Sequence, residues 1–353
     1  MIKFPSIEQF RNVIRAVQNK AQWDGRDENG DPKFNRNAAI PTLKFRGAVK
    51  LHGTNAGIVF DNKADTIGYQ SRERELTVTS DNAGFALYME SKKEILKSMV
   101  AKIEARLNPG EPEHNPDKVV VFGEWCGGNI QKGIAISGLP KMFVIFGIKF
   151  FWGEGEDARS QWIDIELVKD IVSHDDKIFN VLEFGSYEVE IDFSKPELIQ
   201  NKLIELTIAV EELCPAGKFF GNEGVGEGIV WTCREPGFYS SDFWFKVKGE
   251  KHSASKVKVL AAVDVEAIKA VDDFVEMAVT EARLEQGLQN LVNEQLKPFE
   301  MQSMGDFIRW VFNDVVKEEM DTIVASQMDP KKLGGPIATK SRKWFIDKFN
   351  SKG

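Results

Sequence analysis

The sequence predicts an α+β protein, with a mixed domain over residues 1–258 and an all-helical domain over residues 259–353. Two observations carry this. From Phe45 to about Val257, short β-rich runs are broken by Gly, Pro, Asn and Asp, with helical segments between them. After Ala261 the apolar spacing lengthens to a helical one. The length of 353 residues also allows a sizeable core and favours two domains.

Along the chain, Ala21 to Pro41 is rich in Asp, Asn, Gly and Lys and reads as a loop or insertion. The stretch Lys92 to Leu107 carries apolar residues at Ile95, Met99, Ile103 and Leu107, the stripe of an amphipathic helix. FWFKVK alternates strictly. A strand there sends Phe243, Phe245 and Val247 to one side and Trp244, Lys246 and Lys248 to the other. Two lysines on one face of a buried sheet call for an anion. In the second domain Ile268, Val271, Val275, Ala278, Leu284, Leu288 and Leu291 fall near helical spacing, as do Phe307, Trp310, Val311 and Val315. Phe345, Ile346 and Phe349 predict a last helix following Pro336. These stripes read as core.

Composition narrows the function classes. Hydrophobic residues at 42% and charged residues at 28% describe an ordinary globular protein. The three cysteines, Cys126, Cys214 and Cys233, are far apart and have no clustered histidines, so neither a disulfide framework nor a zinc site is expected. The N-terminus carries charges and no apolar signal core, and no apolar run reaches membrane-spanning length. The expectation is a monomer in a reducing cytoplasm (a host's cytoplasm if the source is viral) that engages no membrane. The net charge of −8 argues against a non-specific nucleic-acid coat, yet residues 246–258 hold five lysines against one glutamate. Residues 328–353 hold seven Lys or Arg against two Asp, a second basic patch in an acidic chain.

Chemistry concentrates around VKLHGTN, Val49 to Asn55, where a lone lysine stands at a strand-to-turn junction three residues ahead of a glycine. A lysine amine attacks phosphorus only when neutral, and at a reference pKa near ~10.4 few are neutral at pH 7. A nucleophilic lysine therefore needs desolvation or neighbouring cations. Gly53 would let a phosphate or nucleoside approach the backbone. By itself Lys-x-x-Gly also describes a surface turn. Further along come SRE (Ser71 to Glu73), VVVFGEW (Val119 to Trp125), FVIFGIKF (Phe143 to Phe150), EGIVWT (Glu227 to Thr232) and FWFKVKGEKHS (Phe243 to Ser253).

In that order these motifs resemble the covalent nucleotidyltransferases, the superfamily of ATP-dependent ligases and mRNA capping enzymes. KLHGTN, FGEW followed by GGNIQKG, and KVKGEKHS are most similar to the RNA ligase 2 family, over roughly residues 45–255. The resemblance implies a nucleotidyltransferase domain of antiparallel sheets with helices, and an RNA-binding helical domain after it. It implies ATP and Mg2+, with Mn2+ an alternative, as cofactors. Its partners would be RNA 5′-phosphate and 3′-hydroxyl ends, in duplex RNA.

Residue by residue, the resemblance makes Lys50 the nucleophile that becomes lysyl-AMP. Lys246 and Lys248 match the pair on the α-phosphate, and Glu227 the catalytic, metal-associated carboxylate. Glu124 matches the ribose-binding carboxylate, Phe146 the aromatic that stacks on adenine, and Arg72 an arginine meeting the nucleotide or the RNA terminal phosphate. His52 and Asn55 lie inside the nucleophile motif, His52 on the RNA side and Asn55 on the nucleotide side. Lys331, Lys332, Lys340, Arg342 and Lys343 would serve RNA. Two positions depart from the family pattern: Val49 stands where a glutamate is common, and Gly147 where an aspartate often follows the stacking aromatic. Other polynucleotide ligases and capping enzymes are the alternative, although they carry an OB-fold where helical stripes stand here. A non-catalytic RNA-binding relative is the other, and it would need no nucleophile. No G-x-x-x-x-G-K-[ST] run is present, and GNEGVGEG, Gly221 to Gly228, reads as a turn before a strand.

Overall fold

Alternating apolar residues in the first 249 positions build two large sheets and a two-stranded hairpin. In the computed structural model residues 1–107, 115–155, 158–249, 271–326 and 328–351 are described. The chain divides into two units, Met1–Gly249 and Glu250–Gly353. The domain boundary expected at residue 258, the lysines from Lys251 to Lys258 and the stripe position Ile268 all lie outside the described residues.

The first unit opens with β1 (Glu8–Gln9) and α1 (Phe10–Gln22), whose Phe10, Val13 and Val17 are buried at helical spacing. Residues 21–41 correct the expected loop. Trp23–Arg26 (β2) and Pro32–Phe34 (β3) pair as an antiparallel hairpin, closed by Asp27 accepting from the Asn29 and Asp31 N–H groups. The polar residues that suggested a loop form its tip. There follow β4 (Thr42–Lys50), β5 (Thr54–Asp61), β6 (Thr66–Ser71), β7 (Glu75–Leu76), α2 (Phe85–Glu90) and α3 (Lys93–Leu107). Next come β8 (Lys118–Cys126), β9 (Met142–Trp152), β10 (Arg159–Ile163), β11 (Ile178–Asn180) and β12 (Tyr187–Asp192). The unit ends with α4 (Gln200–Glu212), α5 (Pro215–Phe219), β13 (Gly228–Cys233) and β14 (Phe245–Lys248).

One sheet has the order β1-β14-β13-β4-β12; the larger runs β10-β9-β8-β5-β6-β7, with β11 beside β9. Most pairs are antiparallel, and β1–β14 and β11–β9 are parallel. On the larger sheet Ala56, Ile58 and Phe60 join Val119, Val121 and Trp125 in a core shared with Met99, Val100 and Ile103 of α3. The opposite face carries Asn55, Val120, Phe122 and Glu124, as period-two alternation requires. A bulge interrupts β9. Phe122 pairs with Gly147 and Gly123 with Ile145, so Phe146 is the extra residue. Phe143 and Ile145 before the bulge, and Ile148 and Phe150 after it, therefore all reach the same core.

The second unit contains α6 (Val271–Ala278), α7 (Glu281–Gln289), α8 (Met304–Glu318), α9 (Met320–Ala325) and α10 (Pro330–Asn350). Phe274, Leu284, Phe307, Val311, Ile337 and Phe345 belong to one core, in line with the stripes. The last helix starts earlier than expected, at Pro330, which occupies the first turn behind the Asp329 cap, and Pro336 lies inside it. A proline there leaves the Lys332 carbonyl without its helical donor. Lys332 is exposed, so water can satisfy it. Arg283 is fully buried at the centre of this unit, 3.0 Å from Asp314 and 3.3 Å from Glu318. No described helix is long and apolar enough to cross a membrane.

Candidate active site

Register in the smaller sheet assembles the charged centre. Gly228 on β13 pairs with Lys50 on one side and Lys248 on the other, so both ammonium groups flank the residue before it, Glu227. Lys50 Nζ donates to Glu227 Oε2 at 2.7 Å, and Lys248 Nζ lies 3.0 Å from Oε1. His52 Nδ1 sits 3.2 Å from Oε2. Glu227 is 1% exposed, whereas Lys50 is 24% exposed, so the lysine is the member reachable from solvent. Burial works to raise the Glu227 carboxyl, but Lys50, Lys248 and the His52 hydrogen bond together hold it well below the usual carboxylate range. Gly228 has φ +150°, and a Cβ there would stand 2.2 Å from the Val247 carbonyl oxygen. Only glycine permits the row.

The turn after the lysine is locked from both ends. Gly53 N–H donates to Glu124 Oε1 at 2.8 Å, and the Gln131 side-chain amide donates to the Gly53 carbonyl at 3.3 Å. A Cβ on Gly53 would come within 2.4 Å of the Trp125 carbonyl oxygen, which explains the glycine physically. Glu124 lies on β8 opposite Asn55 of β5, on the face away from the large core. Burial pushes the Glu124 carboxyl up to about 7. Lys50 pulls it down, Glu227 pushes it up, and the Gly53 bond and Arg72 pull it down. Arg72, just beyond β6, donates to Ser6 Oγ at 3.3 Å.

Phe146 is half-buried and packs against a cluster formed by Phe4, Val120, Phe122, Trp162 and Trp244. The bulge turns it to the same side as Phe122. On β14 the strand itself begins at Phe245; Lys246 and Lys248 are partly exposed while Phe245 and Val247 are buried, so the expected division of faces is present. Trp244 precedes the strand and joins the cluster with Phe4. Lys246 lies one row from Lys248, paired with Val230 and Gln9.

Of the residues singled out in the sequence, Lys50, His52, Glu124, Glu227 and Lys248 thus form one constellation, with Arg72 acting electrostatically on Glu124. Gln131 was not singled out, although it sits in the GGNIQKG run; nothing in the sequence places its amide on Gly53. Among the described residues no group of three His, Cys, Asp or Glu side chains could hold a metal ion. A divalent ion would have Glu227 as a ligand only in exchange for Lys50 and Lys248, with phosphate oxygens and water completing its shell. In the second unit Lys331, Lys332, Arg342 and Lys343 are exposed along α10, and Lys340 pairs with Glu276 at 2.9 Å.

A family model described as RNA ligase matches residues 44–248, more than half of the chain. Among solved structures, a Naegleria gruberi RNA ligase with PPi is similar at 16% identity and a TM-score of 0.42. The match covers 71% of this chain and 56% of that one. A mutant of that ligase with ATP and Mn is similar at 17% identity and a TM-score of 0.41, over 71% of this chain and 57% of that one. This chain thus spans little more than half the length of those structures. No curated protein sequence matches significantly.

Proposed function

The chain belongs to the RNA ligase family, and from that membership and its buried charge constellation we propose that it joins RNA 3′-hydroxyl and 5′-phosphate ends at the expense of ATP. Nicks in duplex RNA are the substrate in this reading. The observation that carries it is the row Lys50–Gly228–Lys248 closed over buried Glu227. It sets a solvent-reachable amine and a second cation on one buried carboxylate, so that when Lys50 leaves Glu227 a neighbouring cation remains to neutralise a phosphate.

In the first step Lys50, having lost a proton and left Glu227, attacks the α-phosphorus of ATP. A P–N bond forms and the bond to pyrophosphate breaks. The RNA 5′-phosphate then takes the AMP from Lys50, forming a P–O–P link as P–N breaks. Finally the 3′-hydroxyl attacks the activated 5′-phosphate and AMP leaves. Each is an in-line transfer in which positioning and charge neutralisation dominate. Lys246 and Lys248 stabilise the charge that develops on the phosphate oxygens. Glu124 accepts a ribose hydroxyl, Phe146 covers the adenine, and Asn55 and Arg72 hold the nucleotide. A divalent ion, magnesium or manganese, would supply further neutralisation when bound, and Glu227 is the residue that would hold it. His52 and Arg72 serve the RNA ends, and the exposed cations of α10 contact RNA phosphates.

Incubation with radiolabelled ATP tests this. Label should become covalently attached, stable to alkali and labile to acid as a phosphoramidate is, and GTP should give none. Lys50→Ala should abolish it. Persistent labelling of that variant overturns the assignment, and no labelling of the unmodified chain would favour a non-catalytic RNA-binding role.

A further inference from the structure

The segment before β1 touches three of the elements that the proposed reaction uses. Gln70 clamps Ile2 by a pair of hydrogen bonds, accepting from the Ile2 N–H at 3.0 Å and donating to its carbonyl. Lys3 pairs with Glu73 at 2.7 Å, and Ser6 accepts from Arg72. Gln70 lies on β6 of the larger sheet, and Arg72 and Glu73 lie in the turn after it. Two residues beyond Ser6, Glu8 N–H donates to the Trp244 carbonyl and β1 joins the smaller sheet, with Gln9 opposite Lys246. Residues 2–9 therefore strap one sheet to the other. Phe4 is the wedge between them, its ring 4.9 Å from Phe146, 5.1 Å from Phe122 and 5.7 Å from Trp162, and 6.3 Å from Trp244 on the smaller-sheet side.

From this we infer that Phe4 is a positioning residue for nucleotide binding: its ring packs against the bulged Phe146 at an interplanar angle of 60° and so fixes the orientation in which Phe146 meets a base. The inference rests on the reading that Phe146 covers adenine. A bulged residue has no ladder partner to fix it. Its orientation has to come from packing, and Phe4 supplies the closest aromatic contact of Phe146 in the described structure. Loss of the wedge then weakens ATP binding before chemistry, because Lys50, Glu227 and Lys248 are fixed by strand register instead.

The test is enzyme-AMP formation by the full chain over a range of ATP concentrations, with thermal unfolding measured in parallel. Phe4→Ala should raise the half-saturating ATP concentration about tenfold while the maximal rate changes less than threefold. Phe4→Tyr, which keeps the ring, should restore most of the affinity. Phe146→Ala should raise half-saturation similarly, and the double variant should be no worse than the worse single one. If Phe146→Ala raises it but folded Phe4→Ala, or Phe4→Leu should Phe4→Ala not fold, binds ATP normally, the wedge role is overturned and the adenine reading survives. If Phe146→Ala leaves half-saturation unchanged, the adenine reading falls and the inference with it. A Phe4→Ala chain whose maximal rate drops at unchanged half-saturation also overturns the inference.

Discussion

At the scale of single residues, two buried carboxylates that both feel the charge of Lys50 have been driven in opposite directions. Glu227 has cations on both oxygens and is held ionised; Glu124 has one backbone N–H and the repulsion of Glu227, and burial prevails. Because the folded chain raises Glu124, stability is lost as pH climbs from the ordinary carboxylate range through about 7. Glu227 acts the other way, contributing stability that is lost as pH falls below the ordinary carboxylate range. Glu124→Gln keeps an acceptor for Gly53 N–H but cannot ionise. We expect unfolding free energy measured between pH 5 and pH 8 to fall less steeply in this variant than in the parent, by roughly 3 kcal/mol over the window. An unchanged slope would mean that Glu124 does not titrate there.

At the scale of elements, the short strand β14 is the clearest case of one segment doing two jobs. Its Phe245 and Val247 enter the core while Lys246 and Lys248 stay partly exposed on the other face. Lys248→Ala removes one of the two cations on Glu227, and Lys246→Ala the cation one row along. Each should slow enzyme-AMP formation about a hundredfold or more in labelling assays, with circular dichroism unchanged. Arginine should not rescue position 248, since a planar fork cannot reproduce a compact ammonium beside Lys50. Near-normal labelling of Lys248→Ala would remove this strand from the mechanism. In the helical unit Arg283 has the opposite character, a buried ion with no role in chemistry. Arg283→Ala strands the buried carboxylate of Glu319 and the half-buried Asp314 and Glu318. A loss of about 3–5 kcal/mol in denaturant unfolding of this unit is expected, whereas Arg283→Met, which at least fills the space, should lose less.

At the scale of the whole molecule, the residues assigned to nucleotide chemistry fall within Met1–Gly249, and the exposed cations of α10 in Glu250–Gly353. A chain ending near residue 258, once shown to be folded, should still form enzyme-AMP yet lose most sealing of nicked duplex RNA. RNA affinity of the full chain should fall steeply with salt, and less steeply after Lys331, Lys332, Arg342 and Lys343 are changed to Ala. A fragment that seals as well as the intact chain would give the helices a purely structural task.

What was legible in the sequence was whatever depends on local pattern. The helix over Lys93–Leu107 follows from apolar spacing and the two faces of FWFKVK from alternation, whereas Lys50 stands out only through the order of the motifs around it. Residues 21–41 form a hairpin and not a plain loop, and α10 starts before Pro336, because polar and proline-containing stretches can be hairpin tips and first turns as readily as loops, and only the pairing partner decides. The contacts that make the site were not local at all: Glu227 is 177 positions from Lys50, Gln131 is 78 from Gly53, and Phe4 reaches Phe146 across the sheet. By itself, then, the sequence determined the α+β class, the helical second region and the membership in an ordered set of motifs, since each of these is written in spacing along the chain. Strand register, the bulge at Phe146 and the opposed behaviour of Glu124 and Glu227 were decided only in the tertiary structure, because burial and the distance between charges come into being when distant segments pack together.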